Sequence, residues 1–103
     1  MQITFIVPCF NADKIIIKNY KKLNSFIKKH NIKKKIIYIN DGSQDNTLKK
    51  LKEIKDKDVK ILDNKNNLGK SKSIINALKI VRTKHVVLID CDLPYFKYLK
   101  KIL

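Results

Sequence analysis

The sequence predicts an α/β fold: half of a doubly wound, mainly parallel sheet with four strands alternating with helices. Three observations carry this. Apolar runs of strand length recur at residues 3–7, 36–39, 59–62 and 86–89. The stretches between them place apolar residues at helical spacing, with lysines on the opposite side. The first run is continuously β-branched or aromatic and the fourth is apolar, neither alternating, as expected of strands covered on both faces. At 103 residues the chain makes one domain with one modest core.

Ile3-Thr4-Phe5-Ile6-Val7 is β-branched or aromatic at every position, and Pro8 closes the strand. Ile16, Tyr20, Leu23 and Ile27 then form the stripe of a first helix. Ile36-Ile37-Tyr38-Ile39 is the second strand. Leu48, Leu51 and Ile54 mark a second helix, capped by Asp45 or Asn46. Residues 59–62 are a short third strand, and Ile74, Ala77, Leu78 and Val81 mark a third helix. Val86-Val87-Leu88-Ile89 is the fourth strand. Pro94 suits the first turn of a last helix, with Phe96, Leu99 and Leu103 on one side.

Right-handed crossovers leave few ways to connect these elements. The simplest sets the first and fourth strands side by side, with the winding reversing between them. Ligands in such sheets bind beyond the carboxyl ends of the strands, at that reversal. The segments after each strand are therefore where function is sought.

The charge narrows the function less than its size suggests. Basic residues number 24 against 9 acidic, a net charge of +15. Yet Lys, Ile and Asn together fill 50 of the 103 positions, and Arg82 is the single arginine. Arginine is the preferred reader of phosphates and bases, so this profile speaks for compositional drift and against a specific nucleic-acid binder. Peripheral attraction to an anionic membrane surface or a polyphosphate fits the charge better. No apolar run reaches the roughly 18–20 residues of a membrane span. The opening residues have no basic n-region, and two cysteines are too few for a disulfide framework, so the expectation is a reducing, cytoplasmic setting.

Six of the nine acids, Asp13, Asp41, Asp45, Asp63, Asp90 and Asp92, fall at or just after strand ends. Turn and cap chemistry accounts for Asp45, Asp63 and Asp13. It accounts less well for Asp90-Cys91-Asp92, two carboxylates directly after an apolar strand. Their oxygens suit Mg²⁺ or Mn²⁺, hard ions that keep water and substrate phosphate as further ligands. In the second loop, Asp41 at the strand tip could accept from a base or ribose donor or simply cap a turn, and Gly42 permits a close backbone approach. In the third, Asn67-Leu68-Gly69-Lys70 precedes a helix whose first N–H groups favour anions. Gly69-Lys70-Ser71 resembles the end of a P-loop, but Asn64 stands where that motif needs glycine. In the first, Phe10 either stacks on a base or folds back onto the core. Cys9 and Cys91 lie at the tips of strands paired as neighbours, and small buried thiols are the default for both.

Four segments in register, Phe5-Ile6-Val7-Pro8-Cys9-Phe10-Asn11, Asn40-Asp41-Gly42-Ser43-Gln44-Asp45-Asn46-Thr47, Asn67-Leu68-Gly69-Lys70 and Val87-Leu88-Ile89-Asp90-Cys91-Asp92-Leu93, resemble the N-terminal half of family 2 glycosyltransferases, which have the GT-A fold. The Asp-x-Asp-Leu form is similar to the polyprenyl-phosphate sugar transferase branch. The resemblance implies an inverting sugar transferase with a nucleotide-diphosphate sugar donor, a divalent metal (Mn²⁺ or Mg²⁺), and a glycan, protein or lipid-phosphate acceptor. Pro8, Cys9, Phe10 and Asn11 would line the nucleobase pocket, Asp41 would accept from the base, and Asn67, Gly69 and Lys70 would border the nucleotide. Asp90 would lie near ribose and metal, and Asp92 would ligate the metal directly. The sequence departs from the family pattern at Asn40, where an aspartate is usual, at Ala12, where an acid is usual, and at Cys91, where a smaller residue is common. The resemblance makes residues 1–103 one donor-binding domain, truncated before the acceptor region and the catalytic base. A catalytically silent binding module is the rival reading. A haloacid-dehalogenase-type phosphatase fits badly, because its Asp-x-Asp lies on the first strand and Leu93-Pro94 does not continue its motif.

Overall fold

A computed structural model of the chain describes residues 1–92. The helix expected from Pro94, with Phe96, Leu99 and Leu103, lies outside the described residues. The elements run β1 (Gln2–Cys9), α1 (Ile16–Lys29), β2 (Lys33–Asp41), α2 (Thr47–Lys52), β3 (Val59–Asn64), α3 (Lys70–Leu78) and β4 (His85–Leu88). Every strand pairing is parallel, and the sheet order is β3-β2-β1-β4. The predicted neighbours β1 and β4 are paired, from Ile3 opposite His85 to Ile6 opposite Leu88. The connection through α3 carries the chain from one edge of the sheet to the other, which is the reversal of winding expected from the sequence.

Strand alternation divides the core between the two faces. Ile3, Phe5, Val7 and Cys9 of β1 join Ile36 and Tyr38 of β2 under α1 and α2. Ile6, Ile37 and Ile39 point the other way and pack with Ala77 of α3. Ile16, Leu23 and Ile27 are buried along α1, as their spacing predicts, and Lys28 and Lys29 oppose the helix dipole at its end. Asn31 then turns the chain with φ of +53°.

Two helix expectations need correction. The stripe of α2 stops early: Leu51 is fully buried, but the helix ends at Lys52 and Ile54 packs from beyond it. In α3 the buried positions are Ser73 and Ala77, four apart, while Leu78 is exposed. The chain leaves the helix at Leu78, so Ile80 and Val81 reach the core from the following turn. No described helix is long and apolar enough to cross a membrane.

Candidate functional site

The carboxyl ends of β1, β2 and β4 open onto a cavity of about 280 Å³, lined by Pro8, Cys9, Phe10, Asp41, Asn67, Gly69, Lys70 and Asp90. Small-molecule pockets usually span about 300–1,000 Å³, so this one is at the lower bound. Eight of the nine residues singled out from the sequence for a nucleotide sugar thus share one concavity. The ninth, Asn11, is not in the lining. Its N–H donates to Ser43 Oγ at 2.9 Å, and its Oδ1 accepts the Gln44 N–H at 2.9 Å. Asn11 ties the β1–α1 loop to the β2–α2 loop, adopting φ of +48° to do so.

A larger cavity, about 570 Å³, lies at the other end of the sheet, between Gln2, Lys28, Lys33 and Arg82. Size alone favours it. The chemistry and the parallel-sheet rule favour the carboxyl end, where acids, an exposed aromatic and a lysine converge.

Asp41 is nearly buried at the tip of β2. Its Oδ1 accepts the Leu68 N–H at 2.7 Å and the Asn64 amide at 3.1 Å, and its Oδ2 accepts the Gly69 N–H at 3.0 Å. Burial by itself raises this carboxyl. The bonds from Leu68, Asn64 and Gly69 outweigh that and hold it below the ordinary carboxylate range. The backbone N–H groups of Leu68 and Gly69, just ahead of α3, are therefore satisfied by Asp41. These two groups lie ahead of the helix, whose own first N–H groups begin at Lys70. Gly69 has φ of +91°, a conformation glycine adopts without strain.

Gly42 does permit a close approach, but the approach is to the protein's own backbone. A Cβ there would lie 2.4 Å from the Asn67 nitrogen. Asn67 answers with a side-chain N–H to the Asp41 carbonyl at 3.2 Å. Asn40, where an aspartate was expected by resemblance, donates to Asp63 at 2.8 Å. Of the two cap candidates, Asn46 holds the N-cap position of α2 without a side-chain cap bond, and Asp45, one residue ahead, accepts the Thr47 N–H at 2.9 Å through Oδ1.

Phe10 is 52% exposed at the cavity rim, so the alternative that it folds back onto the core is set aside. Cys9 and Cys91 are both buried free thiols. The neighbouring Cys91 thiol and burial push the Cys9 thiol up, which keeps it protonated and a poor nucleophile.

Asp90 is partly exposed and forms an ion pair with Lys70 across the cavity. Asp92 is exposed and lies outside the lining. Among the described residues no group of three or more His, Cys, Asp or Glu side chains stands ready for a metal. The donor set still fits a hard divalent cation. Asp90 in the lining and Asp92 two residues on offer carboxylate oxygens, and such ions draw remaining ligands from water and substrate oxygens.

Sequence reading missed Asn19, Tyr38, Asn64 and Ser73. Asn64 bridges Asp41 and Ser73 Oγ, the latter at 2.9 Å. Asn19 and Tyr38 form a buried polar pair under the Asp-x-Asp segment. An asparagine inside the apolar stripe of α1 was the visible signal.

The comparisons fit this geometry. The chain is 28% identical over 95 residues to the uncharacterized glycosyltransferase YkcC of Bacillus subtilis, covering 90% of this chain and 29% of that protein. It is 32% identical over 91 residues to the poly-beta-1,6-N-acetyl-D-glucosamine synthase of Staphylococcus epidermidis, covering 87% and 21%. Among solved structures, S. aureus TarS 1-349 aligns with a TM-score of 0.71 at 28% identity, over 89% of this chain and 28% of that one. The mannosyltransferase PcManGT from Pyrobaculum calidifontis, in complex with GDP-Man and Mn²⁺, aligns at 0.76 with 20% identity, over 87% and 27%, and so shares the fold. The chain thus spans about a fifth to a third of the length of its relatives. The α/β sheet is that of the GT-A glycosyltransferases. Residues 4–103 match the family model described as glycosyl transferase family 2, and with the strand-tip cavity built from the same four segments, the chain belongs to that family.

Proposed function

We propose that this chain is the donor-binding part of a glycosyltransferase that takes a nucleotide-diphosphate sugar and a divalent metal. The observation that carries the reading is the single cavity joining Pro8, Cys9, Phe10, Asp41, Asn67, Gly69, Lys70 and Asp90. Phe10 would offer its exposed ring to the base, and Asp41 Oδ2, which accepts Gly69, has acceptor capacity left toward the cavity. Lys70 would turn to the diphosphate. Asp90 and Asp92 would hold Mn²⁺ or Mg²⁺, and the bound metal would neutralise the departing diphosphate as a Lewis acid. The GDP-Man and Mn²⁺ of the similarly folded mannosyltransferase support this choice of ligands. The acceptor, a glycan, a protein or a lipid phosphate, would be engaged by chain beyond the donor half, as would the catalytic base. The +15 charge supports peripheral contact with an anionic membrane on the cytoplasmic side.

The test is calorimetric titration of the full chain with UDP- and GDP-sugars, with and without Mn²⁺. Metal-dependent binding that Asp92→Ala abolishes and Phe10→Ala weakens is the expected result. Binding that ignores the metal would favour a catalytically silent module.

A further inference from the structure

The Asp-x-Asp segment leaves the sheet as soon as it begins. The last ladder bond on that side is from the Ile89 N–H to the Ile6 carbonyl, at 2.9 Å. Residues 90–92 continue beyond it. Cys91, between the two aspartates, turns its side chain into the core. Its carbonyl accepts a hydrogen bond from Asn19 Nδ2 at 3.0 Å, and Asn19 Oδ1 accepts the Tyr38 hydroxyl at 2.8 Å.

Asn19 is 1% exposed and Tyr38 is fully buried, so neither bond is shared with solvent. The network also fixes the amide's orientation. A carbonyl can only accept, so Nδ2 must face Cys91 and the oxygen must face the phenol. Burial keeps the Tyr38 phenol protonated, and it remains a donor. A leucine at position 19 would extend the apolar stripe of α1 without burying an amide. An asparagine there is tolerable only because both ends of its amide are satisfied. The string runs from β2, through α1, to the residue whose two neighbours are the candidate metal ligands.

We propose that Asn19 is a positioning residue, and that with Tyr38 it fixes the backbone between Asp90 and Asp92 so that both carboxylates are presented to one cation. This rests on the metal reading given above. The bond to the Cys91 carbonyl sets where the segment turns after β4. The core behind Asn19 supplies the rigidity, since Ile16 and Leu23 of the same helix are 0% and 2% exposed. Residues that orient metal ligands without touching the metal typically govern affinity by about 10–100-fold.

The experiment titrates the full chain with Mn²⁺ alone, following free Mn²⁺ by electron paramagnetic resonance. The variant is Asn19→Leu combined with Tyr38→Phe, which removes both side-chain partners together, so that the Cys91 carbonyl alone loses its donor. We expect its Mn²⁺ affinity to fall about tenfold, with faster hydrogen exchange at the Asp92 amide. Leu51→Ala, a truncation in the same core that removes no side-chain hydrogen bond, should lower the urea midpoint and leave Mn²⁺ affinity alone. Tyr38→Phe by itself, a milder change that keeps the Asn19 bond to Cys91, should weaken Mn²⁺ in the same direction, and it decides the matter if the double variant does not fold. Unchanged Mn²⁺ affinity in a folded variant, with Asp92→Ala still abolishing binding in the parent, would overturn the role of Asn19 alone. Mn²⁺ binding in the parent that is absent or indifferent to Asp92→Ala would overturn the metal reading and this inference with it.

Discussion

Asp41 caps the turn that ends at Gly69: one carboxylate oxygen takes the Gly69 N–H at 3.0 Å while the other takes the Leu68 N–H at 2.7 Å. A residue that the sequence offers to a ligand is therefore first a structural clamp between β2 and α3. Asp41→Ala would strand both N–H groups and leave the Asn64 amide with Ser73 as its remaining acceptor. The loss should be about 2 kcal/mol of stability, as for partly buried donors left unpaired. Urea unfolding measures that loss, and hydrogen exchange at the Leu68 and Gly69 amides should show the loop opening ahead of the core. If stability holds and only nucleotide binding falls, the clamp is secondary and the ligand role is primary.

Gly42 carries the second clamp. Its φ is +69°, and an added Cβ would meet Asn67 N at 2.4 Å and Asn66 C at 2.6 Å, both backbone atoms with no flexible end to yield. Gly42→Ala should cost more than about 2 kcal/mol, the left-handed penalty and the displaced loop acting together. The same substitution at Gly69, where nothing lies within 4 Å, meets only the backbone strain of φ +91°. The urea midpoint of Gly42→Ala should fall below that of Gly69→Ala.

The acid limb of stability has a separate origin. Lys34 Nζ lies 2.8 Å from Asp56 Oδ2, and the Tyr20 hydroxyl donates to the same oxygen at 2.6 Å. Burial raises the Asp56 carboxyl, but the bonds from Lys34 and Tyr20 bring it down to about 2 from an ordinary 3.8. A depressed carboxylate contributes fully above its unfolded value and loses that contribution as pH falls through the folded one. Stability should decline between about pH 4 and pH 2. Tyr20 moves the other way, pushed up to about 12 by burial and by Asp56. Its neutral form belongs to the fold, so stability should also decline between about pH 10 and pH 12. Thermal melts across pH should show both limbs, with the acid limb flatter in Lys34→Met.

The fold was legible because each strand is a short apolar run and each helix a periodic one, and the β1–β4 pairing followed from crossover handedness. The convergence of Phe10, Asp41, Lys70 and Asp90 followed from the rule for parallel sheets. What the sequence could not convey was how many of these polar groups bind one another. Asp41 reads as a free acceptor until Leu68 and Gly69 are seen pointing at it, a contact spanning 27 and 28 residues. Asn19 breaks a helical stripe without announcing its partner, because Cys91 is 72 residues away. Asn11 sits inside a recognised motif, yet its role is to join two loops. Pattern reports periodicity and tips of strands; it does not report long-range hydrogen bonds.

Lys70 and Asp90 form a charge pair within the lining of the strand-tip cavity. Their side chains are 60% and 30% exposed, so the pair is weak and open to exchange. On the function proposed above, Lys70 would compete with a cation for Asp90 in the empty cavity and would be drawn to phosphate when a donor enters. Lys70→Gln should therefore have opposite effects on the two ligands. Mn²⁺ alone should bind up to about fivefold more tightly, the scale of one exposed ion pair. A nucleoside diphosphate in the absence of metal should bind more weakly, and the difference from the parent should shrink in high salt. Parallel titrations with Mn²⁺ and with GDP or UDP decide the point. A Lys70→Gln chain that loses affinity for both ligands would mean that Lys70 supports the cavity's shape rather than guarding Asp90.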